Sequence, residues 1–321
     1  MFNNELWQKP AGGAGGGDFY THQIANSCRF VASATSHMYR TQGTPTNVDK
    51  CTISLWVKRS KLGAAMHAFT GSGSSGTYSH ISFGGTGNDP DLFYYLQNQN
   101  SPVTVELEST ALYRDPSAWY HIVIAQDSTQ ASAGDRNKIY INGVQYTDWG
   151  AFTQYSNLNS DFLMNTSGHK IFVGSGGDSA AGAYLPYDGY IAEYVFIDGT
   201  QYDISDFGET KNGVWIPKDP SGLTFGNNGC YLKFQNSAAL GDDSSGNNND
   251  FTVSALATHD QMTDTPTFSA TAGNGGNFMT YNAANTGTSG NVLAEGALQT
   301  SGSGGGTNSG TFGMISGKWY W

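Results

Sequence analysis

Short segments of alternating apolar and polar residues, separated by turn residues, recur from about residue 24 to residue 258. Residues 52–58 read TISLWVK, so the isoleucine, leucine and valine side chains share one face of a strand and the tryptophan lies on the other. Residues 138–145 read KIYINGVQ, which predicts a hairpin because Asn142-Gly143 accepts the positive φ angles of a type I′ turn. The pattern predicts an all-β protein.

Further strands are predicted at residues 120–125, 170–174 and 189–197, and a short helix at about residues 203–212. The composition favours short strands joined by tight polar turns, because 13% of residues are charged, 13% are aromatic and 43 are glycine.

The formal charge of −11 opposes nucleic acid and anionic lipid, since both are held by Lys and Arg side chains. No apolar run approaches the roughly 20 residues of a membrane span. The first residues, MFNNELWQKPAGGAGGG, lack the basic and apolar regions of a signal peptide. We therefore expect no nucleic acid partner, no membrane insertion and synthesis in the cytoplasm.

The three cysteines are odd in number and widely separated, unlike the dense, even set of a secreted disulfide scaffold. Three buried thiols are predicted at Cys28, Cys51 and Cys230. A Cys28–Cys51 bridge is the alternative.

Four segments resemble, in order and spacing, the strands of laminin-G-like and pentraxin-like domains. They are CTISLWVK at residues 51–58, WYHIV at 119–123 with Asp127, KIYING at 138–143, and IFVG at 171–174 with YDGYIAE at 187–193. The resemblance implies an antiparallel jelly-roll β-sandwich of the concanavalin A type. It does not assign an activity, because this fold hosts lectins, hydrolases and structural modules.

A fifth segment, DSSGNNND at residues 243–250, resembles a turn that lies near the start of many pentraxin-like modules. In this chain it follows the other motifs, after an aromatic strand at residues 231–234. The closing strands of the sandwich are therefore expected in permuted order.

The two ends of the chain resemble large virion proteins of marine tailed bacteriophages, in which a laminin-G-like module precedes a SPRY-type sandwich. The matching segments are MFNNELWQKPAGG at the start and SGKWYW at residues 316–321. The resemblance implies an N-terminal arm at residues 1–21, a jelly-roll domain at 22–265, and a Gly/Ser-rich linker with the first SPRY-like strands at 266–321.

The N-terminal arm combines a flexible Gly-rich stretch at residues 12–17 with the large apolar residues Phe2, Leu6 and Trp7. A tether that ends in a few apolar side chains suits anchoring to another virion protein. A disordered tail is the alternative.

Sugar binding requires an exposed aromatic ring beside amide or carboxylate groups, so that a pyranose can stack while its hydroxyls are hydrogen-bonded. Aromatic residues in or beside polar loops are the candidates: Tyr94, Tyr95, Trp149, Tyr155, Tyr184 and Tyr187. Packing in the core is the alternative for each of them.

Two clusters of oxygen-bearing side chains are candidate calcium ligands, because Ca²⁺ prefers carboxylate and carbonyl oxygens. One lies in the fifth motif and the other in an earlier loop: Asp242, Asp243, Asn247 and Asp250; Asn88, Asp89 and Asp91. The alternative for the fifth motif is an ordinary turn, in which Asp accepts backbone hydrogen bonds and Gly takes a positive φ.

Glu106 and Glu108 are spaced to project from one strand face, as two carboxylates about 5 Å apart do in retaining glycosidases. They lack the third acid and flanking aromatics of an E-x-D-x-x-E box, so a solvated strand face is expected instead. The sequence has no G-x-S-x-G elbow, no P-loop and no zinc-ligand spacing among its histidines. A protein without catalytic activity is predicted.

Three functions stay open: a glycan- or receptor-binding module on a virion, a structural virion connector, and a glycosidase or lyase. The first two are compatible, because an arm can anchor the sandwich while its opposite side faces a host glycan. Self-association is expected, since virion appendages are usually symmetric oligomers and weak sites gain from multivalency. The expected location is the virion surface, after assembly in the host cytoplasm.

Overall fold

The alternating segments form two antiparallel sheets that pack face to face. The structure, a computed structural model, describes residues 19–73, 76–84, 91–99, 103–176, 184–269, 274–285, 292–301 and 308–313. The strands are β1 Ser27–Phe30, β2 His37–Thr41, β3 Lys50–Arg59, β4 Met66–Ser72, β5 Thr77–Phe83, β6 Leu92–Gln99, β7 Val103–Leu112, β8 Tyr120–Asp127, β9 Asn137–Ile141, β10 Val144–Gln145, β11 Trp149–Gln154, β12 Lys170–Val173, β13 Gly189–Asp198, β14 Gly208–Lys211, β15 Val214–Pro217, β16 Cys230–Leu232, β17 Thr252–Ser254, β18 Gln261–Met262, β19 Phe268–Ser269, β20 Asn274–Gly275, β21 Val292–Ala294 and β22 Gln299–Ser301.

The first sheet has the strand order β10-β9-β8-β3-β13-β1-β18, with β16 also paired to β13. The second sheet has the order β11-β7-β6-β5-β4-β12-β2-β17, and three short hairpins complete the described strands. The strand pairs are antiparallel. The predicted all-β jelly-roll sandwich is therefore confirmed.

Helical structure in the described part of the chain is limited to short turns. The α-helix α1 spans Ala133–Arg136, and the 3-10 turns are Ala32–Ala34, Leu163–Asn165, Ile204–Asp206, Pro220–Gly222 and Thr258–Asp260. None of the described helices is long and apolar enough to cross a membrane.

The main core lies between the two sheets and follows the predicted alternation along β3. Ile53, Leu55 and Val57 are fully buried in it, whereas Trp56 packs in a separate cluster on the opposite face. Burying a side chain of this size contributes roughly 1.5–3 kcal/mol, so the period-two pattern sets the register of the strand.

The hairpin between β9 and β10 turns as predicted, with φ of 50° at Asn142 and 84° at Gly143. The predicted helix at residues 203–212 is wrong. This segment contains a single 3-10 turn and then enters the hairpin of β14 and β15.

The reason for that error is a second Asn-Gly pair. Asn212 and Gly213 take φ of 51° and 79°, which ends β14 and reverses the chain into β15. Since a helix cannot contain two consecutive residues of positive φ, the turn chemistry overrides the helical pattern.

The strands that close the sandwich come from the chain after residue 200. β16 pairs with β13 in the first sheet, and β17 pairs with β2 in the second. The motif at residues 243–250 joins these two strands, and the expected permuted order relative to pentraxin-like modules stays a prediction.

Later segments cover the outer face of the first sheet through buried ion pairs. Lys58 Nζ lies 2.7 Å from Asp264 Oδ2, and Arg29 Nη2 lies 2.9 Å from Asp260 Oδ1. Tyr190 Oη donates to the carbonyl of Gly296 at 2.8 Å. Residues on both sides of the predicted 265/266 domain boundary thus contact this sheet, and the boundary itself stays a prediction.

The three cysteines are free and buried, as predicted. A Cys28–Cys51 bridge does not form, because β13 lies between the strands β1 and β3 that carry these residues. Burial raises the pKa of each thiol, which makes all three poor nucleophiles.

Candidate functional site

The outer face of the second sheet carries aromatic and polar side chains instead of an aliphatic cover. Along β5, the residues TYSHISF alternate, so Ile81 and Phe83 enter the core while Tyr78 and His80 point outward. Strand register places Thr70, His80, Leu96 and Glu106 in one row across β4 to β7. We call His67, Tyr78, His80, Tyr94 and Glu106 the histidine–tyrosine face.

The rings of this face form a contiguous stack centred on His80. The His67 and His80 rings are stacked with centroids 4.2 Å apart, and Tyr78 is parallel to His80 at 6.0 Å. Tyr94 lies 5.6 Å from His80, and the ring of Tyr184 meets His67 edge-on at 5.7 Å. The rings therefore form a continuous aromatic layer, in which Tyr184 is exposed, Tyr78 is half-buried and the others are buried.

Carboxylates flank this stack on β7. Tyr94 Oη donates a hydrogen bond to Glu106 Oε1. Glu106 and Glu108 share the outer face as their spacing predicts, because the residues between and beside them belong to the core. The prediction that the pair is solvated is wrong for Glu108, which is 4% exposed, and Glu106 is half-buried.

Burial keeps the two histidines of the stack neutral. It lowers the pKa of His67 to about 4 and that of His80 well below its ordinary value. Among the described residues, His67 Nδ1, His80 Nδ1 and Thr70 Oγ1 are buried without a hydrogen-bond partner. Unpaired buried polar atoms lower stability, and three of them lie together on this face.

The edges of the histidine–tyrosine face remain accessible. Tyr184 is 64% exposed, while Tyr78, Glu106 and Asn98 are half-buried. Farther along the same sheet, the half-buried Tyr39 lies under the ammonium group of Lys170. The face thus combines exposed ring surface with carboxylate and amide groups.

Three of the six aromatic residues predicted to bind sugar are buried, so their predicted exposure is wrong. Tyr94 and Tyr95 lie inside β6, at 1% and 0% exposure, and Tyr187 is also fully buried. Tyr95 Oη accepts from Gln126 Nε2 in the core, and Tyr187 Oη donates to the carbonyl of Lys58. The polar loop before Tyr94 ends earlier than expected, and the strand begins at Leu92.

The other three residues predicted to bind sugar differ in how exposed they are. Trp149 and Tyr155 are half-buried and pack against the core between the sheets. Tyr184 is the exposed one, and it contacts the histidine–tyrosine face. His67, Tyr78 and His80 were not predicted, although the alternation of β5 places Tyr78 and His80 on the face opposite the core.

The four residues of the first candidate calcium cluster shape a turn. Asp243 accepts hydrogen bonds from the backbone N–H groups of Tyr231, Ser245 and Asn249 at 2.8, 2.9 and 2.9 Å. Its carboxylate is thereby occupied by protein donors, as the turn interpretation requires.

The neighbours of Asp243 are engaged in the same way. Asp250 Oδ1 accepts from the backbone of Asp243, and Asp242 Oδ2 accepts from the Asn236 amide. The Asn247 amide donates to two backbone carbonyls. These hydrogen bonds are those that the turn interpretation requires.

In the second cluster, Asn88 and Asp89 lie outside the described residues. Asp91 pairs with Arg59 and Arg114, each at 2.9 Å. Within the described ranges, no group of three or more His, Cys, Asp and Glu residues is arranged to hold a metal ion.

Solved structures of three proteins are similar to this chain at low sequence identity. A heptameric SAP-like pentraxin from Limulus polyphemus matches with 12% identity and a TM-score of 0.41, over 57% of this chain and 80% of that one. A putative carbohydrate-binding protein from Bacteroides ovatus matches with 15% identity and a TM-score of 0.43, over 73% and 61%. Domains LG4-5 of the mouse laminin alpha1 chain match with 8% identity and a TM-score of 0.36, over 60% and 46%.

Comparison with curated protein sequences found no match. The sequence model of one family, described as the concanavalin A-like lectin/glucanases superfamily, matches residues 33–200, which is slightly more than half of the chain. The matched region runs from just before β2 to just beyond β13, and it includes every strand of the histidine–tyrosine face. This chain belongs to the concanavalin A-like lectin/glucanases superfamily.

Proposed function

We propose that the chain is a glycan-binding module without catalytic activity and that the histidine–tyrosine face is its binding site. The observation that supports this most directly is the stack of Tyr78, His80 and His67, which is open at Tyr184 and bordered by Glu106. A sugar binds to such a surface by stacking its apolar face on a ring while its hydroxyls contact nearby polar groups.

The unpaired buried atoms also support this site. A neutral imidazole has one donor and one acceptor nitrogen, and His67 and His80 each leave Nδ1 unused. Hydroxyl groups both donate and accept hydrogen bonds. A polyhydroxylated ligand that moves aside the side chains at the edge of the face can therefore form hydrogen bonds with these nitrogen atoms. An apolar ligand could not do so.

A glycan array identifies the ligand, and calorimetric titration of the best glycan then measures the effect of Tyr78→Ala and Tyr184→Ala. Each substitution is expected to weaken binding about tenfold or more, because aromatic anchors commonly contribute over about 1 kcal/mol at binding sites. Phe278→Ala is the matched control, since Phe278 is 49% exposed on a segment that contacts the first sheet. It should bind as the unmodified protein does.

Two outcomes would contradict the proposal. One is binding that survives both tyrosine substitutions unchanged. The other is release of reducing sugar from the bound glycan that depends on Glu106 or Glu108, which would make the same face a glycosidase site.

We further propose that the module is displayed on a virion surface and is anchored there by residues 1–21. The support is the resemblance of both chain ends to virion proteins of marine tailed bacteriophages; these ends lie outside the described residues. Deleting residues 1–21 should abolish incorporation into particles while leaving glycan binding intact, as measured on purified particles and on the isolated protein. Incorporation of the shortened chain would contradict the anchoring role.

A self-associated module would strengthen weak binding through multivalency. Light scattering of the full chain measures its oligomeric state, and a monomer that binds isolated and clustered glycan equally well would contradict this part of the proposal.

A further inference from the structure

The first sheet splits into two branches beside β13. One half of β13 pairs with β1 as far as Ile191, and the other half pairs with β16 from Tyr194. Between these points lie Ala192 and Glu193, where β13 also bulges relative to β3. This edge of β13 therefore has a gap between β1 and β16, and we call this gap the fork pocket.

The fork pocket is a cavity of about 150 Å³, and its walls come from three segments. They are the stretch before β1, the bulge of β13 and the residues of β16 and after it: His22, Gln23, Ile24, Ala25, Asn26, Glu193, Tyr231, Lys233 and Gln235. Cavities of roughly this volume take up one six-membered ring in other proteins. The pocket therefore has room for one six-membered ring.

Two residues, one in the pocket wall and one next to it, have backbone conformations that non-glycine residues seldom adopt. Glu193 has φ of 50° and Phe234, which follows Lys233, has φ of 53°. Strained residues of this kind are retained mainly at functional sites. Glu193 is also buried, with 7% of its side chain exposed.

The carboxylate of Glu193 is already occupied by two donors. Glu193 Oε1 accepts from Tyr231 Oη at 2.5 Å and from His22 Nε2. Burial opposes the charged form of His22, but the hydrogen bond and charge of Glu193 outweigh it and raise the pKa of this histidine. The positive charge of a protonated His22 thus offsets the negative charge of Glu193.

The ammonium group of Lys233 remains available. Its Nζ lies 4.8 Å from the centre of the Tyr231 ring, and within the described residues it forms no ion pair. The nearby carboxylate of Asp219 accepts from the backbone of Ser221 and caps a 3-10 turn. Lys233 therefore supplies a positive charge that has no ion-pair partner among the described residues, in a pocket wall that also contains Gln23, Asn26 and Gln235.

We propose that the fork pocket binds one sugar acid, a hydroxylated six-membered ring that carries a carboxylate, such as a uronic acid. The carboxylate pairs with the Lys233 ammonium group, and the hydroxyls contact the amides of Gln23, Asn26 and Gln235. Free uronate and the terminal uronate of a polysaccharide share this chemistry. The site is independent of the histidine–tyrosine face, because it lies on the other sheet and uses different residues.

Saturation-transfer NMR with the full chain tests the proposal, with sodium glucuronate, glucose and an oligosaccharide ending in glucuronate as probes. Glucuronate and the oligosaccharide should bind at least about tenfold more tightly than glucose, because a hydrogen bond between two charged groups is stronger than one between neutral groups. Lys233→Met should remove this preference while keeping the aliphatic stem in place. Binding of glucuronate but not of the oligosaccharide would identify the free acid as the ligand.

Lys61→Met is the matched control, since Lys61 is an exposed lysine outside the pocket. Tyr78→Ala should leave glucuronate binding unchanged, which separates this site from the histidine–tyrosine face. Because Lys233 is half-buried and unpaired, its loss should not unfold the protein, and thermal melting checks this. Equal binding of glucuronate and glucose, no binding of either, or full binding by Lys233→Met would overturn the proposal.

Discussion

The outer faces of the two sheets differ in how their polar groups are paired. On the first sheet, Lys58 pairs with Asp264, and Asp264 also accepts from Trp119 Nε1 at 3.0 Å. On the second sheet, His67 and His80 stack on each other but leave nitrogen atoms unpaired. Buried polar groups therefore join segments together on the first face, whereas on the second face several of them lack a hydrogen-bond partner among the described residues.

This difference separates the part of the chain that ion pairs hold in place from the face where we propose that a glycan binds. The segments that cover the first sheet follow the region matched by the family, and their ion pairs hold them against β1 and β3. The histidine–tyrosine face lies wholly within that region, and it contains buried polar atoms that lack a hydrogen-bond partner among the described residues.

The largest effect is expected from Lys58→Met, which leaves the Asp264 carboxylate buried without its cation. Lys58 and Asp264 side chains are 1% and 5% exposed, and breaking a buried pair by removing one partner costs about 3–5 kcal/mol. The free energy of unfolding from urea titration measures the loss.

The double variant Lys58→Met, Asp264→Leu is the control for this experiment. It should recover part of the lost stability, because no buried charge remains. A double variant no more stable than Lys58→Met would show that the ion pair does not hold the later segments on the first sheet.

A smaller, pH-dependent effect is expected from His67 on the second sheet. Its pKa is lowered from 6.5 to about 4, so the folded state binds fewer protons than the unfolded state between these values. The contribution of His67 to the free energy of unfolding is fully present above pH 6.5. About 2–3 kcal/mol of it is lost as the pH falls towards 4. Urea titrations from pH 7.5 to 4 measure this decline.

His67→Phe should remove this contribution and make the decline shallower while keeping the stacked ring; the rest of the decline remains, because burial also lowers the pKa of His80 and His121. His259→Gln serves as the control, since the side chain of His259 is 71% exposed, and its pH profile should match that of the unmodified protein. If His67→Phe declines as steeply as the unmodified protein, the burial of this histidine is not the cause.

The smallest effect distinguishes an unpaired hydroxyl from a paired one within the second sheet. Thr70 Oγ1 is buried without a partner among the described residues, so Thr70→Val should raise the free energy of unfolding by about 1 kcal/mol. Thr104 Oγ1 exchanges hydrogen bonds with Gln97, so Thr104→Val should lower it by a similar amount. Thermal denaturation of both variants shows whether the two shifts have opposite signs.

Much of the fold could be predicted from local pattern. Alternation predicted which side of β3 enters the core, and Asn142-Gly143 predicted the hairpin between β9 and β10. The same dipeptide at Asn212-Gly213 forms the turn of the β14–β15 hairpin, where a helix was predicted. These features are readable because they depend only on residues a few positions apart.

The candidate site was much less predictable. Tyr94 and Tyr95 are adjacent in sequence, yet one joins the histidine–tyrosine face and the other lies in the main core. Polar neighbours made both resemble loop residues. The pairing of β5 with β4 and β6 decided the outcome, and the sequence does not state which strands will be neighbours.

By itself, the sequence determined the strand class, the two Asn-Gly turns and the reduced state of the cysteines, because short-range sterics and burial preference control them. Only the tertiary structure decided that His67, His80 and Tyr184 meet, and that the sheet forks at Glu193. Both sites join residues far apart in the chain, and such contacts form only when burial of the whole core selects one arrangement of the sheets.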